Sequence, residues 1–171
     1  MRHFVLGIIL CMLTTPLMAE KTEDMFVMRH SQEGSLFFIR PNTFYCTDDK
    51  SELSFDITHL NTTDTASIKM TVYETILVNV DSVALICEAK RYVCDTVVSI
   101  YKEKENKLWI HRCDCVFPFQ AVKQAMIGEK APTIVIYTNR STLSYTLTAQ
   151  KWAKLCPHMR DIFMIIDSTR R

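Results

Sequence analysis

An all-β fold, mainly antiparallel, is what this sequence predicts: a β-barrel or β-sandwich carrying one or two short helices. Three observations carry the prediction. Leu53, Phe55 and Ile57 alternate with Ser54, Asp56 and Thr58, and Ile68, Met70 and Val72 alternate with Lys69 and Thr71, the period of two that a half-buried strand requires. Tyr92 to Tyr101 and Lys107 to Phe117, both rich in β-branched and aromatic residues, flank the charged connector Lys102-Glu103-Lys104-Glu105-Asn106, which has hairpin length. Helical periodicity is confined to two short pieces.

The chain opens with Arg2 and His3, an apolar run from Phe4 to Leu13, a break at Thr14-Thr15-Pro16, and Ala19 before the charged Glu20-Lys21. This is the pattern of a secretory signal peptide over residues 1–19. Its apolar core is shorter than the roughly 20 residues a bilayer span needs, and no later segment is a better candidate. The expected product is a secreted, extracellular protein without a membrane span, a single domain over residues 20–171. Removing Arg2 with the signal leaves 19 basic against 19 acidic residues. A balanced chain lacks the basic excess of a nucleic-acid binder, and the mixed charges read as a solvated surface.

Six cysteines remain after the signal: Cys46, Cys87, Cys94, Cys113, Cys115 and Cys156. An even set in an exported chain implies disulfides, whose pairing the sequence does not choose. A zinc site is disfavoured, because Cys-x6-Cys followed by Cys-x-Cys lacks the short paired spacing of tetrahedral sites and no histidine pair accompanies it. No metal and no cofactor is expected. Two sequons, Asn61-Thr62-Thr63 and Asn139-Arg140-Ser141, lie between apolar segments where a turn would expose them, and both are expected to carry N-linked glycans.

Further strands are expected at Ile76-Leu77-Val78, Val83 to Cys87 and Thr133 to Tyr137. Along Lys107 to Phe117, strand alternation puts Trp109, His111, Cys113 and Cys115 on one face, with Leu108, Ile110, Arg112, Asp114 and Val116 on the other. Cys113 and Cys115 then point the same way, an arrangement poor for a bond between them. His111, with no second histidine or acid at a catalytic spacing, reads as a structural histidine. Phe119, Val122 and Met126 follow Pro118 at helical spacing and stop at Gly128. Trp152, Leu155, Cys156 and Met159 form a second stripe, which Pro157 is expected to cut short. On that reading Trp152 docks the helix on the sheet and Cys156 reaches a strand cysteine.

The order of strand (Lys107 to Cys115), strand (Thr133 to Tyr137), polar turn (Thr138 to Leu143), helix with an aromatic residue and a cysteine (Thr148 to Cys156) and a last extended piece (Ile162 to Ile166) resembles the C-terminal half of a lipocalin. The Gly-x-Trp element that usually opens that family is absent, since Gly34 stands alone near the start and the first tryptophan is Trp109. The resemblance implies a carrier or scavenger of a small apolar molecule, lined by inward positions such as Phe55, Ile57, Met70, Val72, Val98 and Ile100, residues that would equally fill a solid core. The alternative is a disulfide-stapled β-sandwich that binds a secreted or cell-surface protein, an immune-modulating or cytokine-like factor. Enzymatic activity is not expected: no Gly-x-Ser-x-Gly, His-Glu-x-x-His or phosphate-cradling glycine loop is present. Oligomeric state has no signature in the sequence.

Overall fold

A computed structural model describes residues 22–48 and 51–170; residues 1–19, read above as a signal peptide, lie outside them. Ten strands run β1 (Phe26–Ser31), β2 (Gly34–Cys46), β3 (Glu52–Leu60), β4 (Thr65–Glu74), β5 (Val80–Cys87), β6 (Lys90–Cys94), β7 (Val97–Glu105), β8 (Leu108–Pro118), β9 (Thr133–Thr138) and β10 (Thr142–Thr146). Helix α1 (Phe119–Ile127) follows β8, and α2 (Ala149–Thr169) closes the chain. The all-β antiparallel class is therefore what the chain adopts.

All strands belong to one antiparallel sheet in the order β6-β5-β9-β10-β2-β3-β4-β8-β7, with β1 paired to β2. Among the described residues the pairing does not close into a barrel, because β6 and β7 stand at opposite ends of this order. The sheet is nevertheless bent so far that β6 lies against β8 and β5 against β7. One cause of the bending is in β2, whose partners on β3 shift between Ile39 and Asn42, leaving Arg40 and Pro41 opposite Asp56. A bulge of this kind kinks a strand and tolerates a proline that cannot donate to the ladder.

The alternation in β3, β4 and β8 is seen as predicted. Leu53, Phe55, Ile57, Ile68, Met70, Val72, Cys113 and Cys115 are all buried in one core, which extends to Phe119, Val122 and Met126 of α1 and Trp152, Met159 and Phe163 of α2. The hairpin is tighter than the charge pattern suggests. Lys102 to Glu105 belong to β7, and only Asn106 and Lys107, with φ of 48° and 73°, make the turn. Two consecutive positive φ values match the twist of a two-residue hairpin. Ile76 and Leu77 are exposed in the loop before β5, not paired in a strand.

Helix α2 differs most from expectation. It continues through Pro157 to Thr169, so residues 162–166 are helical and not extended. The buried stripe Trp152, Cys156, Met159, Phe163 and Ile166 keeps its helical spacing across the proline, and its burial outweighs one lost backbone bond. That bond would have ended on the carbonyl of Ala153; Ala153 and Pro157 are both exposed, so water can satisfy the orphaned oxygen.

Candidate functional site

Four of the six candidate lining residues come together. Phe55, Met70 and Val72 are fully buried and Ile57 nearly so, in one cluster with Phe37, Phe44 and Leu53. Phe44 and Phe55 meet edge to face at 4.9 Å. These side chains pack on one another as a core does. Val98 and Ile100 do not join them: they are 58% and 46% exposed. On β7 the inward residues are Val97 and Ser99, opposite Cys115 and Cys113, whereas Val98 pairs with Asp114 on the outer face and Ile100 falls in a break of register between Ser99 and Tyr101.

Two buried histidines are held neutral. His111 faces inward between Val72 and Lys102. Its Nε2 is 3.1 Å from Ser99 Oγ, while Nδ1 is buried without a partner. Burial, helped by the Lys102 charge, lowers its pKa to about 4. His59 stacks on Phe119 at 3.9 Å, and its Nδ1–H donates to the Thr65 carbonyl at 2.8 Å. Its Nε2 accepts from Arg170, whose guanidinium also reaches Asp64 and lies over the Phe119 ring. Burial is the main cause that lowers the His59 pKa. This cluster fastens the C-terminal end of α2, a structural task.

All six cysteines are buried and unbonded. The expected bond from Cys156 is not formed: its thiol donates to the Gly128 carbonyl at 3.4 Å, beside the Trp152 Nε1–H that donates to the same oxygen at 3.1 Å. Trp152 does dock α2, through this bond and the core. Cys113 and Cys115 project inward together from β8, and the Cys94 thiol donates to the Thr96 carbonyl at 3.3 Å. The neighbouring Cys113 thiol, together with burial, raises the Cys115 pKa. Burial likewise pushes the Cys87 thiol up.

The sequons differ in accessibility. Asn139 is exposed in the β9–β10 turn, its Oδ1 accepting from the Asn79 backbone N–H. Asn61 is tied at both ends of its amide: Oδ1 accepts from Ser35 N–H at 2.9 Å and Nδ2 donates to the Thr169 carbonyl at 2.7 Å.

Beside the N-terminal half of α2 lies a feature that sequence reasoning did not single out. Two adjoining grooves of about 420 Å³ each meet at Thr146 and Leu147. One is floored by Leu147, Trp152, Ala153, Cys156 and Pro157; the other runs past Tyr45 and Cys46. Their rim is basic, with Lys130, Lys151 and Arg160 against Glu129. Lys151 is pinned 3.8 Å over the Tyr45 ring, and Arg160 donates from Nε to the Ile127 carbonyl. A signal was available in the sequence. From Ala149 to Arg160 the chain carries Lys151, Lys154 and Arg160 and no acid, an asymmetry in an otherwise neutral protein.

Among the described residues no three His, Cys, Asp or Glu side chains gather as a metal site, and no helix is long and apolar enough to cross a membrane. No protein-family model, curated protein or solved structure matches the chain.

Proposed function

We propose that this is a secreted, non-enzymatic carrier or scavenger of a small, mostly apolar molecule, held in the groove beside α2 and not in the interior of the sheet. The observation that supports this reading is the groove itself: an apolar floor of Leu147, Trp152 and Pro157, within the size range of small-molecule sites. Its basic rim favours an acidic head group. An apolar tail losing about 200 Å² to the floor gains about 5 kcal/mol before association costs, so the tail alone supports weak binding and the head-group contact with the basic rim must supply the rest.

Decanoate and decanol titrated into the protein, followed by Trp152 emission in a Trp109→Phe background, test this. Saturable binding of decanoate, weaker binding of decanol, and loss of the preference in Lys130→Gln/Lys151→Gln are expected. No emission change and no adduct in native mass spectra with either probe would dismiss the carrier.

The protein-binding alternative has its own support. Val27, Leu36 and Phe38 stand together on the outer face of β1 and β2, each between 36% and 39% exposed. Val93, Val98 and Val116 form a second exposed apolar patch on β6, β7 and β8. Patches of this kind mark protein contact surfaces. Capture of a secreted protein by the native chain, abolished by Phe38→Lys or Val98→Lys, would select that reading.

A further inference from the structure

Strand β1 leaves an edge of the sheet open. The Arg40 N–H donates to the Met25 carbonyl at 2.8 Å, and the unbroken register from Phe26↔Ile39 to Ser31↔Gly34 carries that phase along the hairpin. In an antiparallel ladder alternate residues turn their backbone groups to the same neighbour, so Val27, Arg29 and Ser31 face β2, while the N–H and C=O of Phe26, Met28 and His30 face away from it. Among the described residues no strand pairs with that edge and no backbone group bonds those of Phe26, Met28 and His30. Val27 to Ser31 are all exposed. Open edges are ordinarily blunted by charge, proline or a covering segment. The strands at the two ends of the sheet order follow that rule: β7 carries Lys102-Glu103-Lys104-Glu105 and β6 carries Lys90 and Arg91, and the bend sets β6 against β8 and β5 against β7. The β1 sequence, Phe-Val-Met-Arg-His-Ser, has one permanent charge and no proline.

We propose that β1 pairs antiparallel with β1 of a second copy of this chain, about a two-fold axis at Met28, and so joins two sheets into one. In that register Met28 meets Met28 of the second copy and Phe26 meets His30, and every outward N–H and C=O of both strands finds a partner. Moving the axis to Arg29 sets two like charges directly opposite and leaves Phe26 beyond the other strand; moving it to Val27 leaves His30 beyond it. On the outer face Val27 then lies opposite Arg29 of the second copy. The exposed apolar surface of Val27, Leu36 and Phe38 becomes continuous across the axis, where the aliphatic stems of both Arg29 side chains lie along it. Strand β1 thus supplies its own complement. The inference does not rest on the carrier reading; a foreign strand on this edge is the outcome that would replace it.

The six residues of β1 fall well short of the roughly 20–30 per partner of a standard interface, so the dimer is expected to exchange with monomer near about 100 μM. Sedimentation velocity of the purified protein from about 10 to about 500 μM should show monomer passing to dimer. Over the same range hydrogen exchange should slow selectively at the amides of Phe26, Met28 and His30. Met28→Pro removes an N–H that faces away from β2, so the hairpin keeps its ladder bonds, while dimerisation should weaken more than about tenfold. Val27→Lys and Val27→Glu test the register without touching the backbone: lysine opposes Arg29 of the second copy and should weaken the dimer, whereas glutamate pairs with it and should not. A monomer throughout the range overturns the proposal, as does a dimer that persists in folded Met28→Pro or responds alike to lysine and glutamate at Val27. Slowed exchange at these three amides only on addition of an extended peptide of another protein overturns it as well.

Discussion

His111 supplies a prediction whose size follows from its surroundings. Its imidazole is inside the sheet, Nδ1 has no partner, and its pKa falls from 6.5 to about 4 on folding. Because the unfolded chain takes up this proton at higher pH than the folded one, the neutral ring contributes stability above pH 6.5 that drains away as pH falls toward 4. With those two pKa values the loss is about 1.4 kcal/mol at pH 5.5 and about 3 kcal/mol at pH 4. The perturbation is His111→Leu, which removes the titration and the orphaned nitrogen together. Urea unfolding at pH 7.5, 5.5 and 4 measures it. At pH 7.5 the two proteins should agree within about 1 kcal/mol, since the lost Ser99 contact is offset by removal of an unpaired buried atom. At pH 4 the variant should be the more stable by about 3 kcal/mol relative to its standing at pH 7.5. His59 also titrates below its ordinary range, but it is present in both chains and cancels in the difference. Parallel loss of stability by wild type and variant would refute the assignment of a buried neutral imidazole at this position.

Other expectations concern the frame. Arg112 bonds Asp56, which is almost fully buried on the outer face of β3, and Thr71 beside it; Arg112→Met strands that carboxylate and should cost about 3 kcal/mol in denaturant unfolding, while adding Asp56→Leu should recover much of it. Gly34 has φ of +136°, and a Cβ there would lie 2.5 Å from Asn61 Oδ1, so Gly34→Ala should destabilise by about 2 kcal/mol and lower the thermal midpoint. Pro157→Ala restores a backbone bond in α2 and should raise the midpoint by the equivalent of about 1 kcal/mol.

Periodicity made several elements legible. Strict alternation located β3, β4 and β8 and sorted their faces, because a period of two leaves no freedom once one face is buried. The same clarity marked α1, where Pro118 starts and Gly128 stops a short apolar stripe. Strands β1 and β2 escaped notice since Leu36-Phe37-Phe38-Ile39 is a continuous apolar run without alternation, and Pro41 argues against a strand unless a bulge accommodates it. Strand β10 was hidden by its polar composition, Thr-Leu-Ser-Tyr-Thr, and is held by its neighbours β9 and β2.

The sequence by itself determined the class: antiparallel strands, two helices, and the inward direction of Phe55, Ile57, Met70, Val72 and Cys115. Those are consequences of local pattern, which one chain segment carries alone. Tertiary structure decided the rest. Only the bend of the sheet sets β6 against β8 and β5 against β7, because proximity between ends of a sheet is a property of accumulated curvature and not of any segment. Val98 and Ile100 have the composition of core residues, but Val98 lies on the outer face opposite Asp114 and Ile100 falls in the break of register between Ser99 and Tyr101, which only the pairing of β7 with β8 fixes. Helix α2 ran past Pro157 because the core waiting for Met159, Phe163 and Ile166 outweighs a local rule, and the groove beside it exists only where that helix meets Leu147.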